Sequence, residues 1–217
     1  MYDKDLFKKI CNGDCSLNEL KSFAQNIRKQ EFDLDNIFEE YYSLDRILLI
    51  IEKYQNGQVN DNYLATWAYA YLWMLDGILK TKNPEREVSF KKWIQWEITE
   101  WLDSLAFFDA EEEYYDLEYY KTVFKELDEI YQTAHDWRVF VAYVEKDADC
   151  GMGTDTYGLA VNAKTKKMVA LYEELDCLSE KCVQKCSSIE ELKNKINELQ
   201  AEGYQKLTYC AWDEELI

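Results

Sequence analysis

Three carboxylates crowd one short stretch: Asp147, Asp149 and Asp155 in Asp147-Ala148-Asp149-Cys150-Gly151-Met152-Gly153-Thr154-Asp155. Carboxylates this close together are what a calcium loop uses to surround a hard cation with oxygen. The calcium template fails at its structural positions. Counted from Asp147, an EF-hand needs glycine where Met152 stands, a bidentate glutamate where Gly158 stands, and helices on both sides in place of strand-like segments. The stretch reads as a solvated loop between two strands. A partner-contacting loop is the second reading and a divalent-cation site the third. Gly151-Met152-Gly153 also lacks the third glycine and the following helix of a phosphate-binding turn.

Nucleophilic chemistry of the Ser-His-Asp or Cys-His kind would have to use His135, the single histidine, in Ala134-His135-Asp136-Trp137. Its place between a helix and a strand favours a capping or surface role. Glu97 and Glu100 read as one solvated helix face, and the Glu-x-x-His pairs of a di-iron site do not occur. Cys177, Cys182 and Cys186 are not spaced as Cys-x-x-Cys pairs, so no zinc site is expected. Asp76 interrupts an apolar helix. A helix-end position reaching water is the simplest account, since burial would demand a partner and raise its pKa. No catalytic residue, metal or cofactor is assigned. The candidate binding residues are the acidic-aromatic run Glu111, Glu112, Glu113, Tyr114, Tyr115 and Asp116, with the loop acids Asp147, Asp149 and Asp155.

Positioning these groups falls to helices first and strands later. The organising stretch is Asn62 to Lys80, NYLATWAYAYLWMLDGILK, where Leu64, Trp67, Ala68, Tyr71, Leu72, Leu75 and Leu79 share one helical face. Tyr69, Ala70, Trp73 and Met74 widen the apolar surface, so neighbours are needed on several sides. Its uninterrupted apolar part falls short of the ~20 residues of a membrane span, which favours a central helix within a domain.

Before it, a short helix on Leu6 and Ile10 stops at Asn12-Gly13. A capping box at Ser16-Leu17-Asn18-Glu19 opens a second helix, and Ser43 opens another through Ile47 and Ile51 to Asn56-Gly57. After it, Phe90, Ile94, Ile98, Leu102 and Leu105 mark a helix expected to partner the central one, with Trp93 and Trp96 on its opposite side. Tyr120, Phe124 and Leu127 mark the last helix of this half.

Beyond Thr133 the pattern becomes strand-like in RVFVAYVE (138–145), YGLAVN (157–162) and KMVALYE (167–173). A second capping box, Ser188-Ile189-Glu190-Glu191, opens a helix with Leu192, Ile196 and Leu199 inward. Lys206 to Ala211 reads as a final strand. The expected class is α+β: a mainly helical region over 1–134, then β-β-β-α-β over 137–217 forming a small antiparallel sheet with a helix on one face, the two packed as one unit.

Composition narrows the partners. With 43 acidic against 25 basic residues the chain carries a net charge of -18, which disfavours nucleic acid and acidic membrane surfaces. It serves solubility or steers a basic partner protein. Aromatic residues make up 15%, including 17 tyrosines and 7 tryptophans, an abundance that suits core packing or a binding surface. An odd number of cysteines and an amino terminus without an apolar signal core, MYDKDLFKKICNGD, point to a reducing cytoplasm.

Tyr157-Gly158-Leu159-Ala160-Val161-Asn162, Lys164-Thr165-Lys166-Lys167-Met168-Val169 and Ser187-Ser188-Ile189-Glu190-Glu191-Leu192 together resemble a strand, Lys-Thr hairpin, strand and Ser-x-Glu-Glu-Leu helix found in bacterial toxin-immunity proteins. The resemblance is limited to the carboxy-terminal third. It implies a cytoplasmic, non-enzymatic antidote that binds and occludes a toxin, often a basic nuclease, and it would make the acidity functional. A carboxylate-dependent hydrolase or transferase, and a structural or regulatory subunit, are the alternatives.

Overall fold

The computed structural model describes residues 4–27, 37–76, 88–108, 116–145, 154–172 and 175–209. Its helices are α1 (Lys4–Asn12), α2 (Leu17–Ile27), α3 (Ile37–Tyr41), α4 (Leu44–Gln55), α5 (Asp61–Asp76), α6 (Phe90–Ala106), α7 (Leu117–Gln132) and α8 (Ile189–Ala201). Its strands are β1 (Trp137–Glu145), β2 (Thr154–Asn162), β3 (Lys167–Tyr172), β4 (Val183–Lys185) and β5 (Gln205–Lys206). The class is α+β, with the helices first and the sheet after them, as the two periodicities predict. The chain divides into two compact units, Met1–Pro84 with Gln95–Asp128 and Glu85–Ile94 with Glu129–Ile217. Among the described residues no helix is long and apolar enough to cross a membrane.

In the helical unit α5 is the buried centre, with Leu64, Trp67 and Tyr71 wholly inaccessible. The rings of Trp67 and Tyr71 stack at 4.8 Å, and their polar atoms reach the ends of other helices. The Trp67 indole N–H donates to the Ile10 carbonyl at 2.7 Å. The Tyr71 hydroxyl donates to the Tyr41 carbonyl at 2.8 Å and accepts from the Ser43 N–H at 3.1 Å. The Tyr63 hydroxyl lies 2.8 Å from the Cys15 carbonyl. Ile10 and Tyr41 lie in the last turns of α1 and α3, so these aromatics both bury area and give their own polar atoms a backbone partner.

The principal neighbour of α5 is α2, with α1, α3 and α4 also against it, where the sequence pattern had suggested α6. Ala24 on α2 and Ala68 and Ala70 on α5 are buried. The turn after α1 is equally constrained. Gly13 has φ of 64°, and a β-carbon there would stand 2.2 Å from Ile50 Cδ1.

Trp93, expected on the outer side of α6, is buried and stacked on Phe90, their planes 10° apart. An i,i+3 spacing puts both rings on one side of the helix, so the apolar arc is wider than the strict stripe.

In the second unit the strands are ordered β4-β1-β2-β3-β5. The β1–β2 and β2–β3 pairs are antiparallel, with Phe140 opposite Leu159 and Leu159 opposite Ala170. Both edges are parallel, β4 beside β1 and β5 beside β3, so the sheet is mixed where a wholly antiparallel one was expected. Connectivity explains it: α8 carries the chain from one edge to the other, and a helical crossover returns it in the same direction. The last strand is shorter than Lys206 to Ala211: Leu207 and Tyr209 are buried but follow the strand, while Cys210 and Ala211 lie outside the described residues.

Leu192 and Ile196 of α8 pack on Ala142, Tyr157, Leu159, Val161, Met168 and Ala170. Val139, Val141, Ala160, Val169 and Leu171, of opposite parity, are buried too, and burial on both faces is why these strands read as apolar runs. Asn162 closes the β2–β3 turn, its Oδ1 accepting from the N–H groups of Lys164 and Thr165.

Both capping boxes form. Glu19 accepts from the Ser16 N–H and hydroxyl at 2.7 and 2.8 Å. In α8 the Ser188 hydroxyl accepts from the Glu191 N–H, but the return arm from Glu191 goes one residue further back, to the N–H and hydroxyl of Ser187.

Candidate functional site

Asp116 is exposed, and its Oδ1 accepts from the Tyr119 N–H at 2.7 Å, so it caps the start of α7. Asp155, expected in a loop, belongs instead to β2 and pairs with Val144, because β2 begins at Thr154; its side chain lies outside the described residues. Glu111, Glu112, Glu113, Tyr114, Tyr115, Asp147 and Asp149 also lie outside them, as does the side chain of Asp76. Asp116 is therefore the one candidate whose side chain lies among the described residues.

Buried thiols offer no nucleophile. Desolvation pushes Cys11 and Cys15 up to about 11, which keeps both protonated at neutral pH. His135 is exposed, and its Nε2 lies 3.5 Å from Asp136 Oδ1. Asp136 is itself held by the Lys164 ammonium at 2.5 Å, a hydrogen bond that keeps its carboxyl below the usual range. Among the described residues no group of three or more His, Cys, Asp or Glu side chains is placed to hold a metal ion.

A different site emerges in the second unit, a cavity of about 740 Å³ at the start of β1 and beside β4. Four of its lining side chains are basic: Lys91, His135, Arg138 and Lys181. Phe90, Tyr131 and Trp137 supply aromatic surface, and no aspartate or glutamate among the described residues lines it. In a chain of net charge -18 that is a local inversion of sign.

Each part has a local cause. Strand alternation buries Trp137 and Val139 and leaves Arg138 between them exposed. The Trp137 indole is fixed by donating to Thr133 Oγ1 at 3.0 Å, and that hydroxyl donates onward to the Glu129 carbonyl at 2.6 Å. The Lys91 ammonium stands 4.6 Å from the centre of the Tyr131 ring, a cation–π distance. Ser89, also in the lining, caps α6 by accepting from the Lys92 N–H at 3.3 Å, so the positive end of a helix dipole adds to the field. The volume is in the range of small-molecule sites.

The sequence offered little warning of this cavity. Lys91 on α6, Arg138 on β1 and Lys181 in the turn before β4 are far apart in the chain, and only folding brings them together. The one available signal was Arg138 at the start of a strand whose next six residues are apolar.

The chain matches no protein-family model, no curated protein and no solved structure.

Proposed function

We propose that this chain is a non-catalytic binding module for a basic protein, acting in the cytoplasm as bacterial immunity proteins do against toxin domains. The observation that carries the reading is Phe107, 76% exposed at the end of α6 and close in sequence to the acidic-aromatic run ending in Asp116. An exposed aromatic ring followed in sequence by concentrated carboxylates has the chemistry of an anchor within a charged rim. The excess of acids is concentrated in the helical unit, which supports steering of a cationic partner toward it.

Among the described residues the carboxyls with shifted ionisation, Glu19, Glu118, Asp136 and Glu191, are all made more acidic by hydrogen bonds. A carboxylate-dependent hydrolase needs the opposite, a general acid raised toward neutrality, so that alternative has less support.

The test is association with the protein encoded by the adjacent reading frame, followed by stopped flow at low and high salt. The on-rate should fall by roughly tenfold or more as salt rises, and Phe107→Ala should speed dissociation by about tenfold. An on-rate indifferent to salt removes the steering claim, and an unchanged dissociation rate removes Phe107 from the interface.

A further inference from the structure

The cavity at the start of β1 is not used by the proposed protein contact, and a basic partner would be repelled from it. Arg138 and Lys181 are exposed cations, Lys91 is braced over the Tyr131 ring, and the amino end of α6 opens at Ser89 in the same lining. Fixed charge of one sign in a concave site raises the local concentration of counter-ions. Phe90, Tyr131 and Trp137 are each only 5–7% exposed, so they offer a small apolar contact beside the cations, which favours a ligand with a flat apolar part over a bare inorganic ion. We propose that this cavity is a binding site for a small organic anion, a phosphate monoester or carboxylate carried on an aromatic body, with Arg138 and Lys181 as its principal charge partners.

Arginine suits the role because its planar fork can donate two parallel hydrogen bonds to a phosphate or carboxylate. Cys182, half-buried in the same lining, provides a local reporter.

The experiment titrates the full chain by calorimetry with phenyl phosphate, benzoate, inorganic phosphate and phenol, and measures alkylation of Cys182 by mass spectrometry in parallel. Phenyl phosphate or benzoate should bind saturably with one site, and whichever binds tighter names the headgroup. Phenol and inorganic phosphate should each bind at least about tenfold more weakly, and the bound organic anion should slow alkylation of Cys182. Arg138→Gln combined with Lys181→Gln, both exposed and therefore compatible with folding, should weaken binding at least about tenfold, the loss expected for one charge-assisted hydrogen bond. Lys185→Gln, a neighbouring cation outside the cavity that pairs with Glu180, should change nothing. The proposal is overturned by absence of saturable binding at millimolar ligand, by inorganic phosphate binding as well as phenyl phosphate, or by a double variant of unchanged circular dichroism that binds like the parent chain. None of these outcomes depends on a protein partner, so the protein-binding reading stands or falls separately.

Discussion

The two units solve the same problem, burying a large apolar surface, with different chemistry. In the helical unit the central side chains are aromatic and carry polar atoms, so Trp67, Tyr71 and Tyr63 must each find a backbone acceptor, and they do, the first two at the ends of α1 and α3 and Tyr63 in the turn before α2. In the sheet unit the layer between α8 and the strands is largely aliphatic, from Leu192 and Ile196 to Leu159 and Ala170, and its polar backbone is satisfied by the strand ladders. Directional contacts tie a core to one arrangement, whereas aliphatic packing tolerates adjustment of volume.

The comparison breaks most visibly at its largest effect. Trp67→Ala should cost about 3–5 kcal/mol, from lost area, a cavity and the loss of one of the two hydrogen bonds to the Ile10 carbonyl, whereas the volume-conserving Leu192→Met in the sheet unit should cost less than about 1.5 kcal/mol. Urea midpoints measure both, and a tolerant Trp67 would mean that the hydrogen-bonded centre is not what holds the helices. A matched pair of glycines sharpens the contrast at smaller scale. Gly13→Ala meets Ile50 at 2.2 Å and a positive φ together, for a loss of about 2–4 kcal/mol. Gly158→Ala in β2 meets the far end of Leu175 at 2.7 Å with no such backbone strain, for about 1–2 kcal/mol. Equal losses at the two positions would show that the sheet unit is packed as rigidly as the helical one.

The smallest effect should be common to both units. Glu19 and Glu191 are each held below the ordinary carboxyl range by their capping serines, Ser16 and Ser187. A folded pKa below the unfolded one adds stability that is complete above the unfolded value, about 4.3, and is lost as pH falls through the folded value. Protection factors of the amides in the first turns of α2 and α8, with the intrinsic pH dependence of exchange divided out, should therefore fall together as pH drops below about 4. Protection in one helix that ignored pH would show that its box contributes nothing.

Much of the fold was legible because it is decided within a few residues. Asn12-Gly13 ended α1, Ser16 with Glu19 opened α2, Asn60 capped α5 through the Tyr63 N–H, and the Lys-Thr turn joined β2 to β3. The apolar periodicity of Leu64 to Leu75 identified α5 as the buried centre. The candidate site was much less legible. Acid-rich segments stand out in a sequence, but Asp116 turned out to cap a helix and the backbone of Asp155 to sit in a strand.

By itself the sequence determined helix ends, turn chemistry, the α+β class and the sign of the overall field, since each follows from neighbouring residues or from summed composition. Tertiary structure alone decided which helix lies along α5, that both sheet edges run parallel, and that three cations scattered through an acidic chain converge around Trp137. Those outcomes rest on contacts between segments distant in sequence. Periodicity describes which face of an element is apolar, but not which other element will cover it or which charges will be carried to its rim.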